Sequence, residues 1–443
     1  MNIGIIGGGC SGSLVAVHLL RSPSPLAVHL IEPRSNLARG LAYSTACPDH
    51  LLNVPAGNMS AFRSHPSQFH EWLRANWSPE AGPDSFAPRQ VYGKYLECLL
   101  RAAVKSRPEC FRSYSSEALD VDLASPQAIH LTLRDLTSLA LDRVVLAIGN
   151  PAPKSLPVSG LEAAHGRYYR SAWESGALEC PHADQPVLLI GSGLTAVDAL
   201  VALRSGGHRG VVYMVSRHGQ LPHPHACYQP GCPEAVVQPG TRLSAAVRAV
   251  RAAVRRAPDW RTVIDGLRPV SNQIWSCLTV AERSRFLRHL KVYWDVHRHR
   301  MAPQIAAVLC TAERSGGLEV VAGRLRQVGA RGECLTVEIT LRGGHTRTIA
   351  VGRIVNCTGP NCDYRRVDSP LMQSLFHQAQ VSPCELGTGL LTNEHGAVID
   401  QAGRPSARLF AIGPLRSGGL FETVALPEIR VQAEALAAHL LAG

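Results

Sequence analysis

The chain opens with a pattern of apolar and glycine-rich positions that predicts a strand, a tight turn and a helix. Ile3 to Ile6 is an unbroken apolar run, residues 7–12 read GGGCSG, and apolar side chains then return with helical spacing at Leu14, Val17 and Leu20. A short apolar run is typical of a buried parallel strand, and this spacing is typical of a helix with one buried face. The pattern therefore predicts the start of an α/β unit.

The predicted turn has the composition of a dinucleotide-binding loop. Gly7 permits the tight turn, Gly9 lets a pyrophosphate approach the backbone, and Gly12 lets the helix pack closely on the strand. The helix begins at Cys10 and Ser11, where free backbone N–H groups can bind phosphates. We therefore expect these five residues to contact a cofactor.

An acidic residue supports this interpretation. A second strand is predicted from Ala27 to Ile31, and it ends at Glu32, twenty residues after Gly12. A carboxylate at this point can accept hydrogen bonds from the adenosine ribose. The alternative is an ordinary glycine turn in an α/β domain, which the combination of strand, helix and acid disfavours.

A near copy of the loop lies at Pro186 to Leu203, PVLLIGSGLTAVDALVAL. Gly191 and Gly193 take the places of Gly7 and Gly9, and Leu194 and Thr195 begin the next helix. The chain thus predicts two dinucleotide sites.

The second copy lacks the acid. Glu32 lies 25 residues after Gly7, but the residue 25 after Gly191 is Ser216, which is followed by Arg217. A site without an acid and with a nearby guanidinium suits the 2′-phosphate of NADPH better than a 2′-hydroxyl. Alternatively, Arg217 is a solvated cation at the end of the predicted strand Val211 to Val215.

Each loop begins a unit that closes with apolar strands and a glycine turn, at Gly149 in the first unit and Gly359 in the second. The strands are predicted at 128–134, 139–148, 334–341 and 346–356. A final strand, Leu409 to Ile412, and a helix from about Pro427 would return to the first unit, with the helix N-terminus aimed at a flavin ring. We expect an α/β fold of two three-layer, Rossmann-like domains. The first domain comprises residues 1–150 and 361–443, and the second comprises residues 151–360 with a helical insertion at about 240–310.

Composition and charge narrow the class of protein. The chain has 443 residues, 13 cysteines and a net charge of +11. Residues 241–300 hold thirteen Arg and Lys against four acids, but Leu243, Val247 and Val250 alternate there with Arg248 and Arg251 as in an amphipathic helix. We therefore expect a solvated basic helix face, which could also attract an anionic cofactor or substrate, and no nucleic-acid partner.

The same properties bear on location. Since no apolar run is long enough to span a bilayer and the N-terminal run lacks a charged leader, we expect a cytoplasmic protein without a membrane partner. Scattered cysteines in odd number fit a reducing compartment.

His223, His225, Cys227 and Cys232 could supply metal ligands, but their spacing is not a standard zinc pattern, and no metal is expected.

Several longer motifs resemble a known family. They are GLAYSTACPDHLLNVPAGNMSAF (40–62), FAPRQVYGKYL (86–96), SRHGQLPHPH (216–225), FLRHLKVYWDVHRHRMAP (286–303) and the C-terminal AIGPLRSG and FETVALPEIRVQA. With the two loops and the two closing turns, they resemble the two-domain FAD/NAD(P)-binding flavoproteins. More narrowly, they resemble the FAD-NAD(P)-binding protein family related to flavin-dependent monooxygenases that hydroxylate the nitrogen of ornithine or lysine.

The resemblance implies a glutathione-reductase-like architecture with FAD at the first loop and NADPH at the second. Arg34, Arg89, Gly413 and Leu420 would then also contact cofactor. Many related enzymes place an Asp after the C-terminal glycine to hold the flavin ribityl chain, but here Gly413 is followed by Pro414, Leu415 and Arg416. How the ribityl hydroxyls are held is therefore an open question for the structure.

The resemblance also implies an oxidoreductase, most simply a monooxygenase that uses O2 and a flavin hydroperoxide to hydroxylate a small amine or amino-acid-like substrate. The first alternative is an NADPH-dependent flavin reductase or dehydrogenase that inserts no oxygen. The second is a flavin-bearing redox sensor without catalysis. The oligomeric state is not predicted.

Candidate catalytic groups lie in two places. Asn53 matches the family's flavin-side loop, where its amide could contact flavin or substrate. His297, Arg298 and His299 can bind anions or move protons, so they could form a wall of a substrate cleft with Arg298 binding a carboxylate. Alternatively, the latter three belong to a solvated helix end. Cys47 is a single thiol that could cycle through a sulfenic acid, or is incidental.

Overall fold

The structure is a computed structural model that describes residues 1–180, 182–228 and 236–442. The strands are β1 Asn2–Ile6, β2 Ala27–Ile31, β3 Phe111–Tyr114, β4 Ala118–Asp122, β5 Ile129–Leu133, β6 Ser138–Leu141, β7 Arg143–Leu146, β8 Tyr168–Tyr169, β9 Val187–Ile190, β10 Val212–Ser216, β11 Leu318–Arg331, β12 Cys334–Leu341, β13 Thr346–Val351, β14 Arg353–Asn356, β15 Ala397–Ile399 and β16 Pro405–Ala411. The α-helices are α1 Cys10–Leu20, α2 Gly40–Tyr43, α3 Gln68–Asn76, α4 Arg89–Ser106, α5 Leu194–Ser205, α6 Leu243–Arg256, α7 Trp260–Leu267, α8 Ser271–Cys277, α9 Val280–Arg285, α10 Lys291–Arg298, α11 Pro303–Arg314, α12 Pro370–His377 and α13 Leu426–Ala442, and a π-helical turn spans Phe286–Leu290.

The first sheet has the order β15-β16-β7-β1-β2-β3. β1 lies between β2 and β7 and is parallel to both, whereas β15 pairs antiparallel with β16. Ile3 and Ile5 are fully buried in a core shared with α1, α4 and α13, and Ile6 packs on the opposite side against the sheet β4-β5-β6 and α12. Both faces of β1 are thus covered, which explains its continuous apolar run.

The second sheet has the order β13-β12-β11-β10-β9-β14-β8. Its strands from β8 to β11 are parallel, and β12 and β13 continue it in antiparallel fashion. β11 joins the two parts, because Leu318–Ala322 pair with β10 and Gly323–Arg331 pair with β12. The predicted α/β class, with two similar units built on parallel sheets, is confirmed.

Two predicted strands were wrong in extent. The stretch 139–148 is two strands, β6 and β7, which Asp142 separates, and the stretch 346–356 is two strands, β13 and β14, which Gly352 separates. In each unit the chain passes at this point from an antiparallel pairing to the parallel core. A change of partner that takes one residue leaves the apolar pattern nearly intact, so periodicity alone could not locate it.

The helices from α6 to α10 lie between β10 and β11, where the insertion was expected, and α11 packs on α5 in the core of the second unit. The C-terminal strand begins earlier than predicted, at Pro405, and the last helix begins at Leu426. Among the described residues, no helix combines the length and the apolar composition that crossing a bilayer requires.

Candidate dinucleotide and active site

The first glycine loop has the backbone shape that a pyrophosphate requires. Gly7 has φ = +107°, and a Cβ there would collide with the carbonyl oxygen of Ala147 in the neighbouring strand end. Gly9 is the N-cap of α1 and supplies no capping side chain, so N–H groups of the first turn at Cys10 and Ser11 remain available to an anion. These residues fit a dinucleotide phosphate.

Glu32 lies beside this loop at the end of β2. Its carboxylate is 4% exposed and accepts a hydrogen bond from the Gly8 N–H at 3.0 Å through Oε2. Oε1 accepts from the backbone N–H of Arg34 at 3.2 Å and from its Nε at 2.9 Å. Since each oxygen can accept more than one hydrogen bond, the carboxylate is held in place and can still accept ribose hydroxyls.

The start of α1 meets the C-terminal glycine turn. A Cβ on Gly413 would lie 2.9 Å from Ser11 Oγ, and Gly413 has φ = +73°. The N–H of Gly413 donates to Gln432 Oε1 at 3.1 Å, and its carbonyl accepts from Thr423 Oγ1 at 2.8 Å. Leu420 lies in the same segment, where its N–H donates to the Arg416 carbonyl at 2.9 Å. The structure thus brings Ser11 and Gly413 together, although they are 402 positions apart.

Arg416 does not replace the missing acid of related enzymes. Its guanidinium is buried and donates to the carbonyls of Asn393 at 3.0 Å and Glu394 at 2.9 Å. Burial lowers the pKa of Arg416 to about 10. The side chain therefore secures the turn before β15, and polar groups from elsewhere must hold the ribityl chain.

Cys10 is a structural residue of the loop. Burial raises the pKa of its thiol to about 12, so the thiolate is not populated near neutral pH.

At the other side of the loop, Gly149 has φ = +72°, nothing lies within 4 Å of a Cβ built there, and its carbonyl accepts from the Tyr364 hydroxyl at 2.9 Å. Space for a cofactor is therefore present beside Gly149.

The second loop repeats this geometry. Gly191 has φ = +120°, and a Cβ there would lie 2.6 Å from the carbonyl oxygen of Cys357. Gly193 is exposed at the N-cap of α5, before Leu194 and Thr195, and nothing lies within 4 Å of its Cβ position. Gly359 has φ = +87° and equally open surroundings. The loop is thus open to a second dinucleotide.

At the end of β10, the second unit has Ser216 and Arg217 where the first unit has Glu32. Ser216 Oγ forms a hydrogen bond with Ser192 Oγ at 2.8 Å and accepts from the Gly219 N–H at 3.0 Å, so it ties the strand end to the loop. Arg217 is exposed and forms no ion pair or hydrogen bond within the described residues. Its guanidinium is therefore available to an external anion.

Arg89 joins the two units. Its Nη2 lies 2.8 Å from Asp198 Oδ2 of α5, and its Nε donates to the Leu51 carbonyl at 3.0 Å. Asp198 is buried, and burial raises the pKa of its carboxyl although Arg89 and His50 oppose the rise. A cofactor would have to share Arg89 with this ion pair. Sequence reasoning missed Asp198, but a lone acid in the apolar segment VDALVAL was an available signal.

Asn53 also lies at the boundary between the units. Its carbonyl accepts a hydrogen bond from His225 Nε2 at 3.0 Å. Burial, together with the charge of Arg300, lowers the pKa of His225 to about 4, so this imidazole is neutral. The side-chain amide of Asn53 has no hydrogen bond within the described residues, which leaves it available for flavin or substrate.

Cys47 lies six residues before Asn53 in the chain, and its carbonyl accepts from the His50 N–H at 3.4 Å. Burial alone would raise the pKa of its thiol, but the hydrogen bond and charge of His50, together with hydrogen bonds from Asp49 and Ser205, hold the pKa below its usual value. His50 Nε2 donates in turn to the Asp198 carbonyl at 2.9 Å. Both interpretations of Cys47, an incidental cysteine and a thiol that cycles through a sulfenic acid, stay untested predictions.

The segment 297–299 divides among three environments. Arg298 is buried and forms two hydrogen bonds to Glu422, at 3.0 and 3.2 Å, so its guanidinium already holds a carboxylate of the protein. Burial and the charges of Arg298 and Lys291 lower the pKa of His299 to about 3. The imidazole of His299 is therefore uncharged at neutral pH and cannot act as a cationic proton donor. His297 packs its ring 4.6 Å from that of His223 and 4.7 Å from that of Trp260.

His297 lines an apolar chamber that the sequence did not predict. The volume is about 640 Å³, and helices α6, α7, α8 and α10 contribute to its wall together with Phe421. The chamber arises because side chains from distant elements meet, so no single motif could have revealed it.

The metal candidates are not assembled in the described part of the chain. No group of three or more His, Cys, Asp or Glu side chains lies close enough there to hold an ion. Cys232, one of the four candidates, lies outside the described residues.

The comparisons with known proteins agree with this geometry. Residues 4–151 match the FAD-NAD(P)-binding family. An L-aspartate N-monooxygenase (nitrosuccinate-forming) of Streptomyces davaonensis is 27% identical over 250 residues, which cover 46% of this chain and 38% of that protein. The chain thus spans less than two fifths of the length of this relative.

Solved structures share the fold over nearly the whole chain. The L-lysine 6-monooxygenase of Pseudomonas syringae aligns with a TM-score of 0.66 at 17% identity, over 99% of this chain and 98% of that one. The bacillithiol disulfide reductase Bdr of Staphylococcus aureus aligns with a TM-score of 0.59 at 15% identity, over 100% and 98%. Residues 4–151 thus match the model of the FAD-NAD(P)-binding family, and the whole chain has the fold of flavoproteins with two dinucleotide-binding domains.

Proposed function

We propose that this protein is an FAD-dependent, NADPH-using monooxygenase that hydroxylates the nitrogen of an amine or amino-acid-like substrate. The observation that carries the proposal is the pair of matching glycine loops, one with Glu32 beside it and one with Arg217 in its place. In the reaction, R–NH2, O2, NADPH and H⁺ give R–NHOH, NADP⁺ and H2O. Two electrons from NADPH and two from the substrate nitrogen reduce O2, of which one atom enters the product.

The first unit would hold FAD. The N-terminus of α1 and the loop at Gly7 and Gly9 bind its pyrophosphate, and Glu32 accepts from its ribose. Arg34 keeps Glu32 oriented through the contact of 2.9 Å, and Gly149 and Gly413 leave room for the rest of the molecule. When bound, FAD supplies the electron transfer between nicotinamide and oxygen.

The second unit would hold NADPH. Gly191 and Gly193 bring the backbone to the pyrophosphate, the first turn of α5 at Leu194 and Thr195 donates N–H groups, and Gly359 leaves space on the other side. Arg217 pairs with the 2′-phosphate, which Ser216 allows because it carries no charge. This is a domain assignment as well, since residues 151–360 then bind the nicotinamide cofactor and residues 1–150 with 361–443 bind the flavin.

His297 is the group that we assign to proton handling. Its Nδ1 lies 2.7 Å from the Tyr293 carbonyl, so Nδ1 carries the proton in the neutral ring and Nε2 is left as the acceptor. Arg298 is occupied by Glu422, and the pKa of His299 is about 3. His297 is thus the member of the segment 297–299 that remains available to take a proton. Asn53 orients flavin or substrate through its amide.

The test is substrate-dependent NADPH consumption with isotope-labelled oxygen. The purified holoenzyme is given NADPH, ¹⁸O2 and a panel of amines and amino acids, including L-aspartate, L-lysine and L-ornithine. We expect one substrate to accelerate NADPH oxidation and to gain a single ¹⁸O atom, as mass spectrometry would show. The same measurement on the variant Gly193→Ala controls for consumption that does not depend on the nicotinamide site.

The second candidate is an NADPH-dependent flavin reductase or dehydrogenase without oxygen insertion. The fold match to a disulfide reductase favours keeping it, because the same two-domain frame serves both chemistries. NADPH oxidation that speeds up with an electron acceptor such as a quinone or a disulfide, with no labelled oxygen in any product, would replace our proposal with this one. A flavoprotein that oxidises NADPH with neither kind of compound would point to a redox sensor.

A further inference from the structure

The apolar chamber of the helical insertion has the size and the walls of a ligand site. Its volume of about 640 Å³ falls within the range of about 300–1,000 Å³ that holds organic molecules in proteins. The aromatic side chains in its wall are Trp260, Trp275, Phe286, Tyr293, Trp294 and Phe421. Aromatic walls of this kind bury hydrocarbon surface effectively.

The apolar face of α6 borders this chamber beside a small core cluster that includes Ala246 and Val250. Leu243, Val247, Val250 and Val254 line it and stay partly exposed, while Ala246 is buried. A helix with so clear an apolar face normally buries that face against the protein. The partly exposed side chains of this face are therefore open to an apolar ligand in the chamber.

The polar groups that line the chamber indicate the charge of the ligand end that it accepts. No Asp or Glu lines it within the described residues, whereas Arg251 and Arg255 do, and both are exposed and form no ion pair there. Trp275 is 4% exposed, and its indole N–H has no hydrogen-bond partner among the described residues. The chamber therefore offers donors and positive charge, but no carboxylate for an ammonium group.

The chamber is continuous with the segment that follows the flavin-side glycine turn. Phe421 stacks on Trp275 at a centroid distance of 4.8 Å, and Asn272 Oδ1 accepts from the N–H groups of Phe421 and Glu422, both at 2.8 Å. Leu420, a predicted cofactor contact, immediately precedes this anchored pair. One wall of the chamber thus comes from the C-terminal part of the first unit.

We propose that the chamber binds the hydrocarbon body, aliphatic or aryl, of a ligand whose end at Arg251 and Arg255 is neutral or anionic. That this ligand is the substrate rests on the proposed function, but its binding does not. The inference changes the expected substrate class, because a short polar amino acid such as ornithine would leave the apolar walls uncovered.

The test is isothermal titration calorimetry of the holoenzyme, without NADPH, with 1-decanol, decanoate and L-ornithine. We expect saturable binding of 1-decanol and decanoate with a negative heat-capacity change, and no heat of binding to the chamber from L-ornithine. Absence of saturable binding by both ten-carbon probes would overturn the inference.

Two matched pairs of variants locate the binding. Ala246→Trp fills the chamber and should weaken both ten-carbon probes at least tenfold, whereas Ala252→Trp, on the exposed face of α6, should leave them unchanged. Val250→Phe is a milder filling variant if Ala246→Trp fails to fold. The pair Arg251→Ala with Arg255→Ala should weaken decanoate but not 1-decanol, and Arg248→Ala should weaken neither. Equal effects of Ala246→Trp and Ala252→Trp would place the probes elsewhere and contradict the inference.

The outcomes also separate this inference from the proposed function. Binding that follows the variants, in an enzyme that inserts no oxygen into any substrate, would support the chamber and reject the monooxygenase. Oxygen insertion into a polar amino acid, unaffected by Val250→Phe, would support the monooxygenase and show that the chamber is not its substrate site.

Discussion

Arg298 and Glu422 form a buried, two-pronged ion pair between the helical insertion and the C-terminal segment, with Nε 3.0 Å from Oε1 and Nη2 3.2 Å from Oε2. The two side chains are 9% and 4% exposed. Burial raises the pKa of Glu422 although Arg298 opposes the rise. The pair fixes the position of Phe421, and therefore of one wall of the chamber.

We predict that Arg298→Ala destabilises the protein, because it leaves the carboxylate of Glu422 buried without a partner. The expected loss is about 3–5 kcal/mol in the free energy of unfolding, measured by urea titration. The control is Arg134→Ala, whose pair with Glu117 is exposed and should be worth no more than about 1 kcal/mol. Unchanged stability of Arg298→Ala, with a raised KM for a carboxylate substrate, would instead support the substrate-binding role.

The two glycines of the second loop should separate folding from cofactor binding. Gly193→Ala meets open space and an ordinary φ of −81°, so the thermal unfolding midpoint should stay within about 2 °C while KM for NADPH rises. Gly191→Ala requires φ = +120° and places a Cβ 2.6 Å from a carbonyl oxygen, so it should lower the midpoint markedly. An unchanged KM in Gly193→Ala would show that the dinucleotide does not approach this residue.

Arg217→Ala should act on NADPH and spare NADH. A charge-assisted hydrogen bond to the 2′-phosphate is worth about 1.5–3 kcal/mol, so kcat/KM for NADPH should fall about tenfold or more. The value for NADH, which has a hydroxyl at that position, should change by less than about twofold. Equal losses for both nucleotides in steady-state kinetics would contradict the assignment of Arg217.

Acid should weaken the fold through two partly buried histidines. Burial lowers the pKa of His225 to about 4 and that of His299 to about 3, whereas an unfolded histidine titrates near about 6.5. Below about pH 6.5 these histidines take up protons in the unfolded chain but stay neutral in the folded chain. The free energy of unfolding is therefore highest above about pH 6.5 and falls toward pH 4. His225→Gln should flatten this fall, and substitution of the exposed His130 by Gln should not. A fall of equal slope in both variants would exclude His225 as a cause.

The local elements around the two loops could be predicted because each depends on neighbouring residues. A glycine with positive φ at Gly7 or Gly191, the start of a helix two or three residues later, and the acid or its absence at the end of the next strand all lie within about 30 positions of one another. Tertiary contacts add burial to these elements but do not change their order. The sequence therefore determined the two-unit α/β plan and the candidate cofactor residues.

The contacts between distant segments could not be predicted, because their partners lie too far apart in the chain for any local pattern to record. Arg89 was predicted to contact a cofactor, and only the structure shows that its guanidinium pairs with Asp198. Arg298 was predicted either to bind a substrate carboxylate or to belong to a solvated helix end, and only the structure shows that it is buried against Glu422. The apolar face of α6 was visible in the sequence, but the chamber that it borders is formed with Phe421 and with tryptophans of other elements. Local propensity and spacing act along the chain, whereas burial and ion pairing act through space, so only the tertiary structure decided how these side chains are used.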